Sequence, residues 1–102
     1  MQLLGQDVLH EAGSRNKPLR KWLQEWILIV EAAEWRNIDD LRRSYPSADG
    51  VRLRSGTTVT VFNAKGNLWR LLTCINYRAQ YIVALEVLTH ADYNKNLWKQ
   101  RY

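Results

Sequence analysis

The sequence has few of the residues that cross-link a chain or bind a metal. Its 102 residues include one cysteine, Cys74, and two histidines, His10 and His90. One thiol cannot form an internal disulfide, and two distant histidines without clustered carboxylates do not make a metal-ligand set. We therefore expect a reduced, cytoplasmic protein that needs no metal and no cofactor, in which Cys74 is a buried strand residue and His10 is structural.

Long apolar runs and two common enzyme motifs are also missing. No run approaches the roughly 18 apolar residues that suggest a membrane-spanning helix. The N-terminal residues lack the basic segment and the apolar stretch of a signal peptide. Neither a glycine-rich phosphate loop nor a Gly-x-Ser-x-Gly elbow occurs. We therefore expect no association with a membrane and neither of the chemistries that those two motifs support.

What the sequence does contain is enough apolar and aromatic material for one small core. Hydrophobic residues make up 46% and charged residues 25%, with five Trp and five Tyr. These values are typical of a globular protein, and we expect a single domain over residues 1–102. The net charge is +5, and residues 57–102 carry six Lys and Arg against two acids, whereas residues 1–56 carry nine against eight. The asymmetry favours an anionic partner for the second half, although an ordinary basic surface accounts for the charge equally well.

Apolar periodicity predicts helices in the first half of the chain. The clearest helix spans residues 18–35, where apolar residues recur at the three-and-four spacing of a single face. Pro18 suits the first helical position, because its missing N–H has no partner there in any case. Shorter helices are predicted over residues 3–12 and 38–44, and residues 45–50 are predicted to be a turn-rich connection.

The second half of the chain changes to the pattern of β-strands. β-branched and aromatic residues predict strands over residues 57–63, 68–77 and 81–89. Residues 64–67 are predicted to be a hairpin loop, and residues 91–98 a final helix or an irregular tail. Helices followed by an antiparallel meander make an α+β protein. We expect a helix to cover one face of the sheet and the other face to be partly enclosed.

Two residues in the strand half are candidates for chemistry. His90 directly follows the last predicted strand, where an imidazole can exchange protons near neutral pH, although a surface or capping histidine is the plainer interpretation. Arg70 lies in a strand among apolar neighbours, so its guanidinium must pair with an acid or point into a polar cleft. Two interpretations remain open: an ion pair with Glu86 on the neighbouring strand, or a clamp for phosphate oxygens.

Side chains suited to RNA are found in the loops and in the C-terminal segment. Cations attract phosphates, and aromatic rings stack on unpaired bases. The candidate RNA-binding residues are Asn67, Arg78, Lys95, Trp98 and Lys99. Lys65 adds a cation in the hairpin loop. The alternative is that Lys65 serves solubility, that Tyr93 and Trp98 pack on the core, and that the C-terminal lysines are solvated.

Several short motifs, in the right order, resemble the HigB-type toxins. Residues 61–71, with the sequence VFNAKGNLWRL, resemble the strand-turn-strand VFNI-GN-YRL of that family. Residues 75–77 match its INY motif, and residues 89–95, with the sequence THADYNK, resemble TH-EYDK. Residues 35–37 and 44–49 also match, upstream and in order. The resemblance extends over residues 19–95.

These toxins belong to the RelE/ParE-like group, so the resemblance implies a fold, an activity and a partner. The implied fold has N-terminal helices packed on a small twisted antiparallel sheet, with a short C-terminal helix or tail. The implied activity is metal-independent cleavage of mRNA by an endoribonuclease, typically at the ribosome. The implied partner is a helix-turn-helix antitoxin of the HigA type.

The resemblance also implies roles for individual residues. The residues that it places in catalysis are His90, Arg70, Lys65 and Tyr93. His90 is expected to act as acid or base, Tyr93 to orient it or share the proton transfer, and Arg70 to hold the scissile phosphate together with Lys65. Three positions depart from the family pattern: Asn94 replaces the usual Asp, Asp92 the usual Glu, and Trp69 the common Tyr.

The leading hypothesis from the sequence is therefore a toxin that cleaves mRNA by attack of a 2′-OH on the adjacent phosphate. One alternative is a non-catalytic ParE-like toxin that acts by binding a protein such as gyrase. Another is a plain RNA-binding module, which binds RNA with a steep salt dependence and leaves it intact. Cleavage of mRNA after induction separates the first hypothesis from the other two.

Overall fold

The structure is a computed structural model that describes residues 1–102. Its elements are β1 (Gln2–Leu4), α1 (Gln6–Ser14), α2 (Lys17–Ala32), α3 (Ile38–Ser44), β2 (Asp49–Arg52), β3 (Thr58–Ala64), β4 (Trp69–Asn76), β5 (Tyr81–Thr89), α4 (His90–Asn94) and a 3₁₀ helix at Leu97–Gln100. The predicted α+β class is confirmed, with a short C-terminal helix after the strands. None of the helices is long and apolar enough to cross a bilayer.

The five strands form one sheet in the order β1-β5-β4-β3-β2. Strands β3, β4 and β5 form the predicted antiparallel meander, β2 is an additional antiparallel strand beside β3, and β1 is a parallel edge strand beside β5. The prediction of a turn over residues 45–50 was wrong for Asp49 and Gly50, which belong to β2. Asp49 and Gly50 are poor strand formers by themselves, and they are extended here because they pair with Val61 and Thr60 of β3.

The prediction of one helix over residues 3–12 was wrong at its start, because Gly5 divides the segment into β1 and α1. Gly5 has a φ of +79°, and a Cβ at this position would overlap the carbonyl oxygen of Ala84 on β5. Only glycine combines this backbone conformation with so close an approach. Three strand residues are too few to show the alternating pattern of a strand. Leu3 and Leu4 fit a helical face equally well in the sequence.

Helix α2 covers one face of the sheet. The side chain of Asn16 caps its N-terminus, where Oδ1 accepts a hydrogen bond from the Leu19 N–H at 2.9 Å. Trp26 meets Phe62 of β3 edge to face, with ring centroids 5.4 Å apart. The other buried residues of α2 are Leu19, Leu23 and Val30. This packing is the larger of two cores and confirms the predicted helix on the sheet.

The opposite face of the sheet is covered by the C-terminal segment, residues 95–102. Trp98 is 0% exposed and fills a second core. Its buried partners are Leu53, Val59, Val61 and Leu72. Two hydrogen bonds of Tyr102 hold the end of the segment on the sheet. Its main-chain oxygen accepts from Ser55 Oγ and its hydroxyl donates to Glu86 Oε1, both at 2.7 Å. The face expected to be partly enclosed is thus enclosed by the protein's own C-terminal residues.

Candidate active site

The turn between β3 and β4 and the junction between β5 and α4 meet at one end of the sheet. Trp69 pairs with Thr89 in the ladder, and the His90 N–H donates to the carbonyl of Leu68 at 3.1 Å. Thr89 caps α4, since its Oγ1 accepts from the Asp92 N–H at 3.1 Å. This register places His90, the first residue of α4, beside the hairpin turn that carries Lys65 and Asn67.

Arg70 is the centre of this site and is only 8% exposed. Its Nη1 donates to the carbonyl of Trp69 at 3.0 Å and its Nη2 to Asn67 Oδ1 at 3.4 Å. Nη2 also lies 2.8 Å from His90 Nδ1, and the guanidinium carbon sits 5.7 Å from the ring centroid of Tyr93. Arg70 thus joins the hairpin turn to α4. It still has N–H groups without a protein acceptor, because a guanidinium carries five.

The interpretation of Arg70 as an ion-pair partner of Glu86 is wrong. Glu86 lies opposite Leu72 in the ladder, and the register shifts by one residue beyond this pair, where Thr73 pairs with Ala84. The carboxylate is bound instead by Arg101, at 2.5 and 3.1 Å, and by the hydroxyl of Tyr102. Five ion pairs are present in the protein and none includes Arg70. The guanidinium therefore keeps its full positive charge in a nearly buried position, which favours an anionic ligand.

His90 is held at both ring nitrogens. Arg70 can only donate, so Nδ1 must carry a lone pair, and the neutral ring then carries its proton on Nε2. The side-chain amide of Asn94 lies 2.9 Å from Nε2. The amide nitrogen faces Nε2 in the structure, and half a turn about one bond presents the amide oxygen, which can accept from the Nε2–H. The contacts therefore fix the tautomer of His90, whose side chain is exposed to solvent.

Tyr93 lies between Arg70 and the second core. Its ring stacks on Trp98, with centroids 5.3 Å apart and planes 15° from parallel. Burial raises the pKa of the Tyr93 phenol above its usual value, the nearby carboxylate of Asp49 adds to the rise, and the Arg70 guanidinium opposes it. Tyr93 is therefore protonated at neutral pH, so it can donate a proton and cannot act as a base.

The hairpin turn adds charge and shape to the site. Lys65 is exposed, adopts a φ of +51° at the start of the turn, and forms no ion pair. Asn67 orients Arg70 through its side-chain oxygen. The predicted loop with a positive φ at Gly66 is confirmed, with a φ of +68°. The structure therefore brings together five of the predicted residues, which are His90, Arg70, Tyr93, Lys65 and Asn67.

The remaining candidates do not contact Arg70. Arg78 is in the turn between β4 and β5, at the opposite end of both strands from His90. Lys95 pairs with Asp92 at 3.2 Å, and Lys99 lies over the ring of Trp98, 5.8 Å from its centroid. Trp98 itself is fully buried, so it cannot offer a face to an RNA base. No three His, Cys, Asp or Glu side chains come close enough together to hold a metal ion.

Cys74 is only partly buried, where the sequence predicted a buried thiol. Its Sγ is 3.8 Å from the carbonyl of Thr58, and burial raises its pKa, so it is a poor nucleophile. The residue that sequence reasoning overlooked is Asn94, which was noted only as a departure from a motif. The available signal was its spacing from His90, because residues four apart on a helix face each other.

Fold and site together define a small α+β protein with a nearly buried, unpaired arginine held between a histidine and a tyrosine. The family model for the HigB toxin, described as the RelE-like toxic component of a toxin–antitoxin system, matches residues 19–96. The chain belongs to this family and is a toxin of a toxin–antitoxin system, whose partner is a cognate antitoxin. The predicted family is confirmed. No curated protein matches the chain significantly.

Proposed function

We propose that this toxin is an endoribonuclease that cleaves mRNA, without a metal, through attack of a ribose 2′-OH on the adjacent phosphate. The observation that carries the proposal is the contact of Arg70 with His90 Nδ1 and with the ring of Tyr93. This reaction needs a group to accept a proton, a group to donate one and a positive charge on the phosphate. Three neighbouring side chains have these properties.

Arg70 and Lys65 bind the scissile phosphate in this mechanism. The guanidinium matches two phosphate oxygens with parallel N–H groups. It is preorganised by Trp69 and Asn67, so little reorganisation is needed when negative charge develops on the phosphorane. Lys65 in the adjoining turn adds a mobile cation without a competing carboxylate.

His90 removes the proton from the 2′-OH. Its Nδ1 carries a lone pair that is occupied by Arg70 Nη2 in the free protein. A phosphate oxygen that accepts from Nη2 in place of Nδ1 frees the lone pair while Trp69 and Asn67 keep the guanidinium in position, so substrate binding exposes the base. The 2′-oxygen then forms a bond to phosphorus while the proton moves to Nδ1.

Tyr93 donates a proton to the departing 5′-oxygen as the P–O5′ bond breaks. The products are a 2′,3′-cyclic phosphate and a 5′-OH, and each proton has a donor and an acceptor. Because its pKa is raised, the phenol is protonated at the start of the reaction. The membership in a RelE-like toxin family further supports action on mRNA at the ribosome and neutralisation by a helix-turn-helix antitoxin of the HigA type.

The test is cleavage by the purified protein of mRNA bound to ribosomes, with mapping of new 5′ ends. We expect cuts with 5′-OH ends from the wild type. Arg70→Ala is expected to lose about a hundredfold or more in rate, because one group that stabilises transition-state charge is typically worth this much. His90→Ala is expected to lose a comparable factor. Arg78→Ala is the matched control, since it removes the same side chain from the opposite end of the strands and is expected to keep full activity.

The outcomes separate the three functions. Growth arrest with intact mRNA would establish a non-catalytic ParE-like toxin. Binding of RNA with neither cleavage nor growth arrest would establish an RNA-binding module. Equal activity of wild type, His90→Ala and Arg70→Ala would show that the reaction takes place at another site.

A further inference from the structure

A second basic site lies on the face of the sheet that carries the C-terminal segment. A cleft of about 560 Å³ runs between the β2–β3 loop and this segment. We call it the basic cleft; its polar lining residues are Arg52, Arg54, Ser55, Asn96, Lys99 and Gln100. Arg52 and Arg54 flank Leu53, which is buried in the second core, and all three residues line the cleft.

The cations of the basic cleft are not neutralised. Arg52, Arg54 and Lys99 are exposed, and none of them takes part in any of the five ion pairs of the protein. No Asp or Glu lines the cleft. Other exposed cations, such as Lys17 and Lys21, are also unpaired, but the basic cleft gathers three of them around one concave surface. Three unpaired cations in one concave site attract an anion with several charges.

The basic cleft is connected to the candidate active site by a row of stacked side chains. Arg70 lies on the ring of Tyr93, Tyr93 stacks on Trp98, and Lys99 lies over Trp98 and lines the cleft. Two ring systems therefore separate the phosphate site from the first cation of the cleft. Such a separation corresponds to a few nucleotides of an extended strand.

We propose that the basic cleft binds the sugar-phosphate backbone of the substrate RNA, a few nucleotides away from the phosphate that is cut. This inference rests on the proposed function for the identity of the ligand. Unpaired cations suit a polyanion, and the amide groups of Asn96 and Gln100 suit phosphate oxygens and 2′-OH groups. A cleft with polar walls does not suit a lipid surface, which needs apolar side chains that insert.

The first experiment measures binding of a 2′-O-methyl RNA of about 12 nucleotides, which cannot be cleaved, at several salt concentrations. The variant Arg52→Gln/Arg54→Gln is compared with the wild type. If both guanidinium groups contact phosphates, the slope of log K against log[salt] becomes shallower by about 1.4, since each contact with a single strand contributes about 0.7. Lys17→Gln/Lys21→Gln is the matched control: it removes two exposed, unpaired cations from α2 and is expected to keep the wild-type slope.

The second experiment measures cleavage of a long and a short RNA substrate. For the long substrate, the Arg52→Gln/Arg54→Gln variant is expected to raise KM several-fold at unchanged kcat, because the contacts exist equally in ground and transition states. For a substrate of about three nucleotides, too short to reach the cleft, both parameters are expected to match the wild type.

Each outcome decides between explanations. An unchanged salt slope and an unchanged KM in the cleft variant would overturn the basic cleft as an RNA site. The same conclusion would follow if the cleft variant kept wild-type binding to RNA and lost binding only to anionic lipid vesicles or only to the antitoxin. Binding of the 2′-O-methyl RNA that depends on the cleft, together with no cleavage of ordinary mRNA by the wild type, would support the cleft and overturn the proposed function.

Discussion

The chemistry of the site depends on which groups surround a single imidazole. Arg70 faces Nδ1 of His90 and Asn94 faces Nε2, so Nδ1 carries the lone pair of the neutral ring and Nε2 carries its proton. The HigB motif has an aspartate where this chain has Asn94. An aspartate at this position would place a negative charge beside Nε2. The amide of Asn94 fixes the ring orientation without favouring the imidazolium form.

The substitution Asn94→Asp tests this role. A carboxylate beside Nε2 stabilises the doubly protonated ring, which can neither accept from Arg70 nor take a proton from a 2′-OH. We expect the rising limb of the cleavage rate against pH to move to higher pH by about one unit, with the maximal rate largely retained at high pH. The measurement is single-turnover cleavage across a pH series.

Asn76→Asp is the control for this substitution. It adds the same charge at an exposed position at the opposite end of β4 and β5 from His90, and the aspartate can still accept from the Ala79 N–H. Its pH profile should coincide with that of the wild type. A profile of Asn94→Asp that also coincides with the wild type would show that Asn94 does not set the protonation of His90.

At the scale of elements, the packing of α1 and β1 on the sheet depends on one residue. Gly5 ends β1 and begins α1 in the left-handed region, directly against the main chain of Ala84. Gly5 is required for two separate reasons, its positive φ and the short distance to the main chain of Ala84. Only the second reason is specific to Gly5. Gly66 has a similar φ of +68° in the hairpin turn, with open space around it.

We expect Gly5→Ala to destabilise the protein by more than Gly66→Ala does. A methyl group at Gly66 meets only the strain of the left-handed region, about 1 kcal/mol. At Gly5 it also forces β5 away from β1, so the loss should exceed about 2 kcal/mol. Urea unfolding of both variants measures the difference. Equal losses would mean that β1 and α1 can shift without cost.

At the scale of the whole molecule, the sheet separates two cores that have different tasks. The larger core under α1 and α2 gives the sheet its helical layer. The smaller core, built around Trp98, fixes the C-terminal segment on the other face. Tyr93 and Lys99 both contact Trp98, so this ring supports one wall of the candidate active site and one wall of the basic cleft.

Trp98→Ala is therefore expected to affect both stability and function. Loss of a fully buried tryptophan typically costs about 3–5 kcal/mol, and the released segment no longer supports Tyr93. The neighbouring substitution Leu97→Ala is the control, because Leu97 is 57% exposed and should change the free energy of unfolding by about 0.5 kcal/mol or less. Urea unfolding and RNA cleavage are measured on both. A stable, active Trp98→Ala protein would show that the second core is dispensable.

The sequence by itself determined the features that rest on local patterns. Apolar residues at helical spacing predicted α2. Two acids followed by two bases, the order that a helix dipole favours, predicted α3. Runs of β-branched residues predicted β3, β4 and β5. The motifs around Arg70 and His90 were sufficient to indicate the family. These signals are local because backbone propensity and side-chain periodicity act over a few residues.

Only the tertiary structure decided which side chains meet. Arg70 and His90 are 20 residues apart, and their contact depends on the register of β4 with β5, while the carboxylate of Glu86 is bound by Arg101. The burial of Trp98 and the position of Arg78 at the far end likewise follow from how the chain crosses the sheet. A strand residue faces either side according to register and bulges, and these are set by pairing between distant segments, so the composition of one segment cannot reveal them.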